Sequence, residues 1–374
     1  MRSPSLAAEV GTVNRASERR LSLGTAALAL LAAVWTMGFI ALSAADGLLG
    51  WDVRFAYLPA AHAILHGHSP YPGLHDRILF DQKGYVYPPQ LALLLVPLTW
   101  LPVAVAGLLA SIASAACVAG TLWILRVRDW RCYAVAFIWM PAMSGILLAN
   151  LSLPLAFAAA VAWRYRDRAW PTAASLGLAI GAKLFLWPLL VWTAATLRFR
   201  ATALAVALGL LVTLAAWAAI GFDDITSYPA LLRRLNEIQA ANSYSFVGIS
   251  STLGLGTGVG DVFAVVVGGV LLVACVVLGR RGDDLRSFTC AIAATLVLSP
   301  IVWVHYLVLL LPPVAIARPR LSPLWFLPLV VWLSPRPGYP VGYETFVPAV
   351  VAAVAFAVLL GRPRPDVVEG TAPA

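Results

Sequence analysis

Four of the five histidines of this chain lie in one polar stretch, residues 45–88, which also holds a carboxylate near its start. Asp52 precedes the histidines, and His62 and His66 follow at a spacing that places two side chains on one helix face. A carboxylate beside an apolar span can act as a general base on a hydroxyl group. It can equally cap a helix, because residues 52–66 have the pattern of an amphipathic helix whose first N–H groups are free. The sequence leaves both roles of Asp52 open.

The histidine pair also has a spacing at which imidazoles bind metal ions. No third ligand lies at a suitable position near His62, His66 and His68, so we expect no metal site. The cysteines form no CxxC pair and lie in or beside apolar runs, which indicates small core residues. They are Cys117, Cys132, Cys275 and Cys290.

Two more polar side chains, Lys183 and His305, lie inside apolar runs. Ionisable residues in such runs are functional candidates, because they are costly to bury in lipid. Lys183 could instead extend to the membrane surface, and His305 could bond a neighbouring carbonyl. Arg233 and Arg234 lie in a second polar stretch, where they could bind phosphate or anionic headgroups or form a solvated face.

The composition indicates a membrane protein. Of 374 residues, 61% are hydrophobic and 11% charged, and the mean hydropathy is +0.85. A soluble domain has about 25% charged residues, and it could not bury this much apolar surface. The composition therefore excludes a soluble enzyme, a disordered chain and a nucleic-acid-binding domain. The net charge of +9 does not indicate nucleic-acid binding, because the distribution of basic residues across the membrane explains it.

Short arginine clusters separate the apolar runs, and positive charge stays on the cytoplasmic side of a membrane. The clusters are Arg126/Arg128/Arg131, Arg164/Arg166/Arg168, Arg198/Arg200, Arg280/Arg281/Arg286, Arg318/Arg320 and Arg362/Arg364. With both termini also inside, the inner side holds 19 basic and 8 acidic residues, and the outer side holds 6 and 9. The outer loops are then residues 45–88 and about 222–258.

The distances between clusters predict broken helices. Residues 132–163 and 169–197 are each too long for one span of a core about 30 Å thick, so we expect two hairpins. Their apices fall near Asn150, which could cap a helix, and near Lys183. With the remaining runs, the chain is predicted to be an all-α polytopic protein of about 10–13 membrane helices. Residues 21–361 form one domain between cytoplasmic tails at 1–20 and 362–374.

A series of short motifs follows in order along the chain. They are WDVR at 51–54, HGHSPY at 66–71, YPP at 87–89, GAK at 181–183 and LSPIVWVH at 298–305. In this order they resemble glycosyltransferase family 87 of the GT-C membrane superfamily, and the resemblance covers about residues 20–360. That family includes α-mannosyltransferases that use polyprenyl-phosphate mannose.

The resemblance implies an inverting glycosyltransferase in a bacterial plasma membrane, active at its outer face. The sugar, most simply mannose, would pass from a polyprenyl-phosphate donor to a lipid or cell-envelope glycan, without a cofactor or nucleic acid. Asp52 matches the catalytic aspartate, His305 a histidine near the donor phosphate and Lys183 a recurrent membrane lysine. Further binding candidates are Arg54, Tyr87, His62, His66, Arg233 and Arg234. The alternatives are a transporter or flippase for a lipid-linked glycan, and a structural envelope protein in which Asp52 only caps a helix.

Overall fold

The computed structural model describes residues 27–28, 30–31, 33–45, 47–334 and 342–361, and within these ranges the chain is helical without a strand. This confirms the predicted all-α class. The predicted tails, 1–20 and 362–374, and the start of the first span lie outside the described residues.

The described ranges contain α-helices of very different lengths, joined by short 3₁₀ segments. They are α1 (Ala33–Ala45), α2 (Leu58–Leu65), α3 (Pro89–Leu95), α4 (Val103–Ile124), α5 (Trp130–Phe137), α6 (Met140–Leu148), α7 (Ser152–Arg164), α8 (Ala169–Ala182), α9 (Pro188–Ala195), α10 (Phe199–Ala219), α11 (Tyr228–Gln239), α12 (Phe246–Thr252), α13 (Thr257–Arg280), α14 (Asp284–Val297), α15 (Leu311–Ala317), α16 (Pro323–Phe326) and α17 (Phe346–Leu360).

Three of the described helices, α4, α10 and α13, are long and apolar enough to cross a membrane. The pair α5 and α6, bent by 65°, makes a fourth candidate if it is one broken span. The remaining apolar helices are shorter, at 10–17 residues including their 3₁₀ extensions. The larger predicted number of about 10–13 therefore requires many of the shorter helices to cross in broken form.

Both predicted hairpins break near the expected residues. The first turns between α6 and α7, where Ala149 has a positive φ of 52° and the Asn150 side chain follows. The second breaks after α8, because Lys183 has an extended backbone with φ −155° and ψ 118°. Pro188 then begins α9, where a missing N–H group costs nothing. Broken backbone of this kind needs protein or water around it in a membrane.

The arginine clusters of the described residues meet one another in two groups. Asp284, at the start of α14, forms ion pairs of 2.8 Å with both Arg166 and Arg198. Asp129, at the start of α5, accepts a hydrogen bond of 3.0 Å from the Leu321 backbone N–H. These contacts join segments that are far apart in sequence, as expected if the clusters share one side.

The two predicted outer loops also pack on each other. The Tyr228 hydroxyl of the second loop donates to the Val86 carbonyl of the first at 2.9 Å, and Gln239 donates to the Leu79 carbonyl at 2.9 Å. Before α2, Val53–Tyr57 forms a π-helical turn. This segment and α2 are amphipathic as predicted, since Ala61 is buried whereas His62 is exposed.

The helices α8 and α10 approach closely through two glycines. A Cβ atom added at Gly177 would lie 2.7 Å from the Ala205 carbonyl oxygen, and one at Gly209 would lie 3.2 Å from the Gly177 carbonyl oxygen. Small residues at such a crossing allow two membrane helices to pack backbone against backbone.

Candidate active site

A cavity of about 1150 Å³ lies where the two hairpin apices, the first outer loop and the 3₁₀ segment Val304–Leu310 meet. Most of its wall is apolar, but four of the predicted functional side chains line it: Asp52, Tyr87, Lys183 and His305. Pockets for small molecules typically measure about 300–1,000 Å³, so this one has room for a sugar and part of a lipid. Residues separated by more than 250 positions thus reach one site.

The backbone before Asp52 fixes its position. Gly50 has a positive φ of 68°, and its N–H group donates to the Leu147 carbonyl of α6 at 2.6 Å. An added Cβ at Gly50 would lie 2.5 Å from the Cα atom of Gly107 in α4, so only glycine fits here. This contact brings the first outer loop against the α6–α7 hairpin.

The Asp52 carboxylate does not cap the helix that follows it. Asp52 has helical backbone angles, and its side chain accepts no N–H group of the next turn. Instead, Oδ2 accepts a short hydrogen bond from the Asn150 amide and a longer one, 3.4 Å, from the Tyr57 hydroxyl. The capping alternative is therefore wrong. Asn150 fulfils that role for α7, because its Oδ1 accepts the Ser152 N–H at 2.9 Å.

The surroundings of Asp52 favour a base that works near neutral pH. Burial raises the pKa of Asp52 to about 6, while the Asn150 hydrogen bond, the Lys183 charge and the Tyr57 hydroxyl oppose that rise. A general base is most effective when its pKa lies near the working pH. Asp52 is only partly buried, so a hydroxyl group in the cavity can reach it.

Lys183 extends into the cavity rather than to a membrane surface. Its ammonium group donates to the Tyr306 hydroxyl at 2.5 Å and lies 3.9 Å from the centre of the same ring. The rings of Tyr87 and Phe185 are 5.4 and 5.0 Å away. These contacts confirm that Lys183 lies in a cavity and exclude the surface-extended alternative.

His305 is buried beside the α6 backbone. Its side chain is next to Gly145, where an added Cβ would lie 3.5 Å from the His305 Cβ. The imidazole lies edge-on to Tyr306, with 5.0 Å between ring centres. Its Nε2 atom is buried and has no hydrogen-bond partner within the described residues. A buried nitrogen without a protein partner beside this cavity is available to bond a molecule that enters it.

A group of tyrosines connects these residues. The Tyr57 and Tyr87 rings pack edge to face at 5.4 Å, and both line the cavity. Tyr87 was predicted as a binding residue, whereas Tyr57 and Tyr306 were not. Tyr306 adjoins His305 in the LSPIVWVH motif and Tyr57 follows Asp52 by five residues, but neither spacing indicates a shared site.

Five other predicted residues do not line the cavity. His62 and His66 are exposed and stack on each other at 6.4 Å. Arg54 packs against Gly107, and its guanidinium donates to the Gly47 carbonyl at 2.9 Å. Arg233 and Arg234 lie on α11 beside the cavity, where Arg233 is exposed and Arg234 forms an ion pair of 3.0 Å with Glu237.

The cysteines are free, and three of the four are buried, which agrees with their predicted core role. In the part of the chain that the structure describes, no three potential metal ligands among His, Cys, Asp and Glu come together.

The comparison with known families decides between the candidate classes. The model of glycosyltransferase family 87 matches residues 85–300, more than half of the chain. The chain belongs to glycosyltransferase family 87. No curated protein and no solved structure matches it. The matched range of this family 87 glycosyltransferase contains Tyr87, Asn150 and Lys183, whereas Asp52 and His305 lie on either side of it. Membership of the family favours the enzyme over the transporter and the structural protein.

Proposed function

We propose that this glycosyltransferase moves a sugar, most simply mannose, from a polyprenyl-phosphate donor to a hydroxyl group of a lipid or cell-envelope glycan. The observation that carries the proposal is the convergence of a carboxylate, an ammonium group and an unpartnered imidazole nitrogen on one cavity. The carboxylate suits proton abstraction, and the other two groups suit a phosphate leaving group.

The reaction is a single displacement with inversion at the anomeric carbon. Asp52 takes the proton of the acceptor hydroxyl as that oxygen bonds to the anomeric carbon. The bond from this carbon to the phosphate oxygen breaks, and the electron pair leaves with the polyprenyl phosphate. A β-linked donor thus gives an α-linked product. One carboxylate suffices because a phosphate leaving group needs no general acid, unlike the sugar alcohol released in glycoside hydrolysis.

Negative charge on the leaving phosphate is stabilised by two other side chains of the cavity, Lys183 and His305. Lys183 supplies a positive charge there, held by Tyr306. His305, in the tautomer with a proton on Nε2, donates to a phosphate oxygen. Fixed donors in a site with little water stabilise a developing charge more strongly than water does. We assign no role in the reaction to Arg54, His62, His66, Arg233 or Arg234, because they do not line the cavity.

The apolar wall supports a lipid-linked donor. Leu184 and Leu210 line the cavity and are 69% and 59% exposed. The cavity therefore reaches the apolar surface beside α10, where a polyprenyl chain can lie in the bilayer while its phosphate lies near Lys183. A water-soluble nucleotide sugar has no apolar chain to bury against this wall.

The donor class is tested by turnover of the purified protein in detergent. We expect a glycosidic product with polyprenyl-phosphate mannose and none with a nucleotide-linked mannose, using candidate glycolipid acceptors in both assays. Turnover with the nucleotide sugar alone would contradict the proposal. Retained turnover after treatment with a chelator is expected, because the proposed reaction uses protein cations only.

The role of Asp52 is tested by Asp52→Asn, which keeps the shape of the side chain but removes the base. We expect turnover to fall about 10²- to 10⁴-fold, the usual contribution of acid–base catalysis, with donor binding retained. Asp76→Asn is the matched control, because Asp76 is exposed in the same loop and does not line the cavity. A folded Asp52→Asn protein with the turnover of the control would remove Asp52 from the mechanism.

A further inference from the structure

A second cavity, of about 510 Å³, lies at an arginine-rich end of the protein and shares no residue with the first. It forms where the segment after α4 meets the segment before α16. Its lining consists of Arg126, Arg128, Asp129, Arg131, Pro319 and Arg320. Four arginines and one aspartate give this lining a formal charge of +3.

The cavity is built around Asp129. Its carboxylate binds the Arg131 guanidinium through two hydrogen bonds of 2.8 Å and accepts the Leu321 N–H at 3.0 Å. The Arg131 contact holds the pKa of Asp129 well below its usual value, at about 2, so the carboxylate stays charged. Asp129 thereby neutralises Arg131 and ties together two arginine clusters separated by about 190 residues.

Three arginines of the cavity remain without an opposite charge. Within the described ranges, no carboxylate forms an ion pair with Arg126, Arg128 or Arg320, and all three are exposed. Guanidinium groups match the geometry of phosphate oxygens. Converging arginines with no ion-pair partner among the described residues favour an anion from outside the chain as their partner.

The surroundings place this cavity at a membrane surface. It adjoins the C-terminal end of α4, a helix long and apolar enough to cross a bilayer. Trp123 and Trp130 flank the arginines and are 72% and 46% exposed. Exposed tryptophans at the end of a span are typical of the headgroup region, where basic pockets between helices bind lipid phosphates.

We propose that this cavity binds the phosphate group of an anionic membrane lipid through Arg126, Arg128 and Arg320. The site is separate from the proposed reaction and does not depend on it. The same phosphate chemistry exists in free inorganic phosphate, but the flanking tryptophans favour a lipid, whose acyl chains lie beside α4.

The test measures thermal unfolding of the full-length protein in detergent while phosphatidylglycerol or phosphatidylcholine is added. We compare the wild type with Arg128→Gln/Arg320→Gln and with the control Arg280→Gln/Arg281→Gln. The control removes the same charge from exposed arginines of another cluster.

We expect phosphatidylglycerol, but not phosphatidylcholine, to raise the unfolding temperature of the wild type and of the control. The cavity variant should need about 30-fold more phosphatidylglycerol for the same rise, because each arginine near an anionic lipid contributes a factor of about five. An equal loss in both variants would show a non-specific charge effect and overturn the proposal. Equal stabilisation by millimolar inorganic phosphate would overturn the lipid assignment, since the cavity would then bind a soluble anion.

Discussion

Asn150 controls the charge state of Asp52, and this role can be measured as a change in pH dependence. Its amide does two things: Nδ2 donates to the Asp52 carboxylate and Oδ1 caps α7 at Ser152. Asn150→Ser separates the two, because serine caps a helix about as well as asparagine. The serine side chain is one bond shorter, so it does not reach Asp52.

The size of the effect follows from the hydrogen bond. A hydrogen bond to a charged group contributes about 1.5–3 kcal/mol, which corresponds to a change of about one to two in pKa. Loss of a donor destabilises the carboxylate, so the pKa of Asp52 should rise from about 6 to about 7–8. Since only the deprotonated base is active, kcat/KM should fall about 5- to 50-fold at pH 6 and recover near pH 9.

The assay is kcat/KM for sugar transfer between pH 5 and about 9.5, a range wide enough to follow the acidic limb that reports the base of the free enzyme. Thermal unfolding of the Asn150→Ser protein checks that the α7 cap is kept. A loss of rate that is equal at every pH would show that Asn150 only supports the fold. An unchanged acidic limb would refute the assignment of Asp52 as the base that Asn150 tunes.

Three other substitutions test separate parts of the reasoning. Lys183→Met should lower kcat about 100- to 1,000-fold, the usual cost of removing one group that stabilises a developing charge, and normal turnover of this variant would exclude Lys183. Asp52→Asn should unfold at a higher temperature than the wild type at pH 8. Burial raises the pKa of Asp52 from 3.8 to about 6, so the charged carboxylate lowers the free energy of unfolding of the wild type by at most about 3 kcal/mol above pH 6. The difference in unfolding temperature between the two proteins should vanish as the pH falls through 6 towards 4. His75→Cys places a thiol on the exposed surface of the first outer loop, where an impermeant reagent should label it on intact cells. Labelling only after permeabilisation would show that the loop lies on the inner side and that the predicted topology is wrong.

Charge and hydropathy predicted much of the fold. The spacing of the arginine clusters predicted the breaks near Asn150 and Lys183, because an apolar segment much longer than the bilayer thickness must turn or break. The fine structure of the spans could not be predicted in this way. Val304–Leu310 is a 3₁₀ helix and Val53–Tyr57 a π-helical turn, and both depend on packing against distant helices.

Some residues of the candidate site could be predicted one by one, but their arrangement could not. Lys183 and His305 were recognisable because ionisable groups are costly in apolar surroundings, and Asp52 was recognisable as a carboxylate beside the first apolar span. Their neighbours were not, since the Asn150–Asp52 hydrogen bond spans 98 residues and no local pattern encodes it. Arg54 is a predicted site residue that does not line the cavity. It lies two residues after Asp52 in the same motif, but its side chain packs against Gly107, away from the cavity.

The glycine contact between α8 and α10 has a consequence for the shape of the cavity. A methyl group at Gly177 would meet the Ala205 carbonyl at 2.7 Å, so the two helices would have to move apart. Val206 and Leu210 of α10 line the cavity, whereas Gly177 does not. Enlarging residue 177 would therefore shift the wall formed by α10 without substituting any residue of the lining. Position 177 thus acts on the cavity from a place outside it.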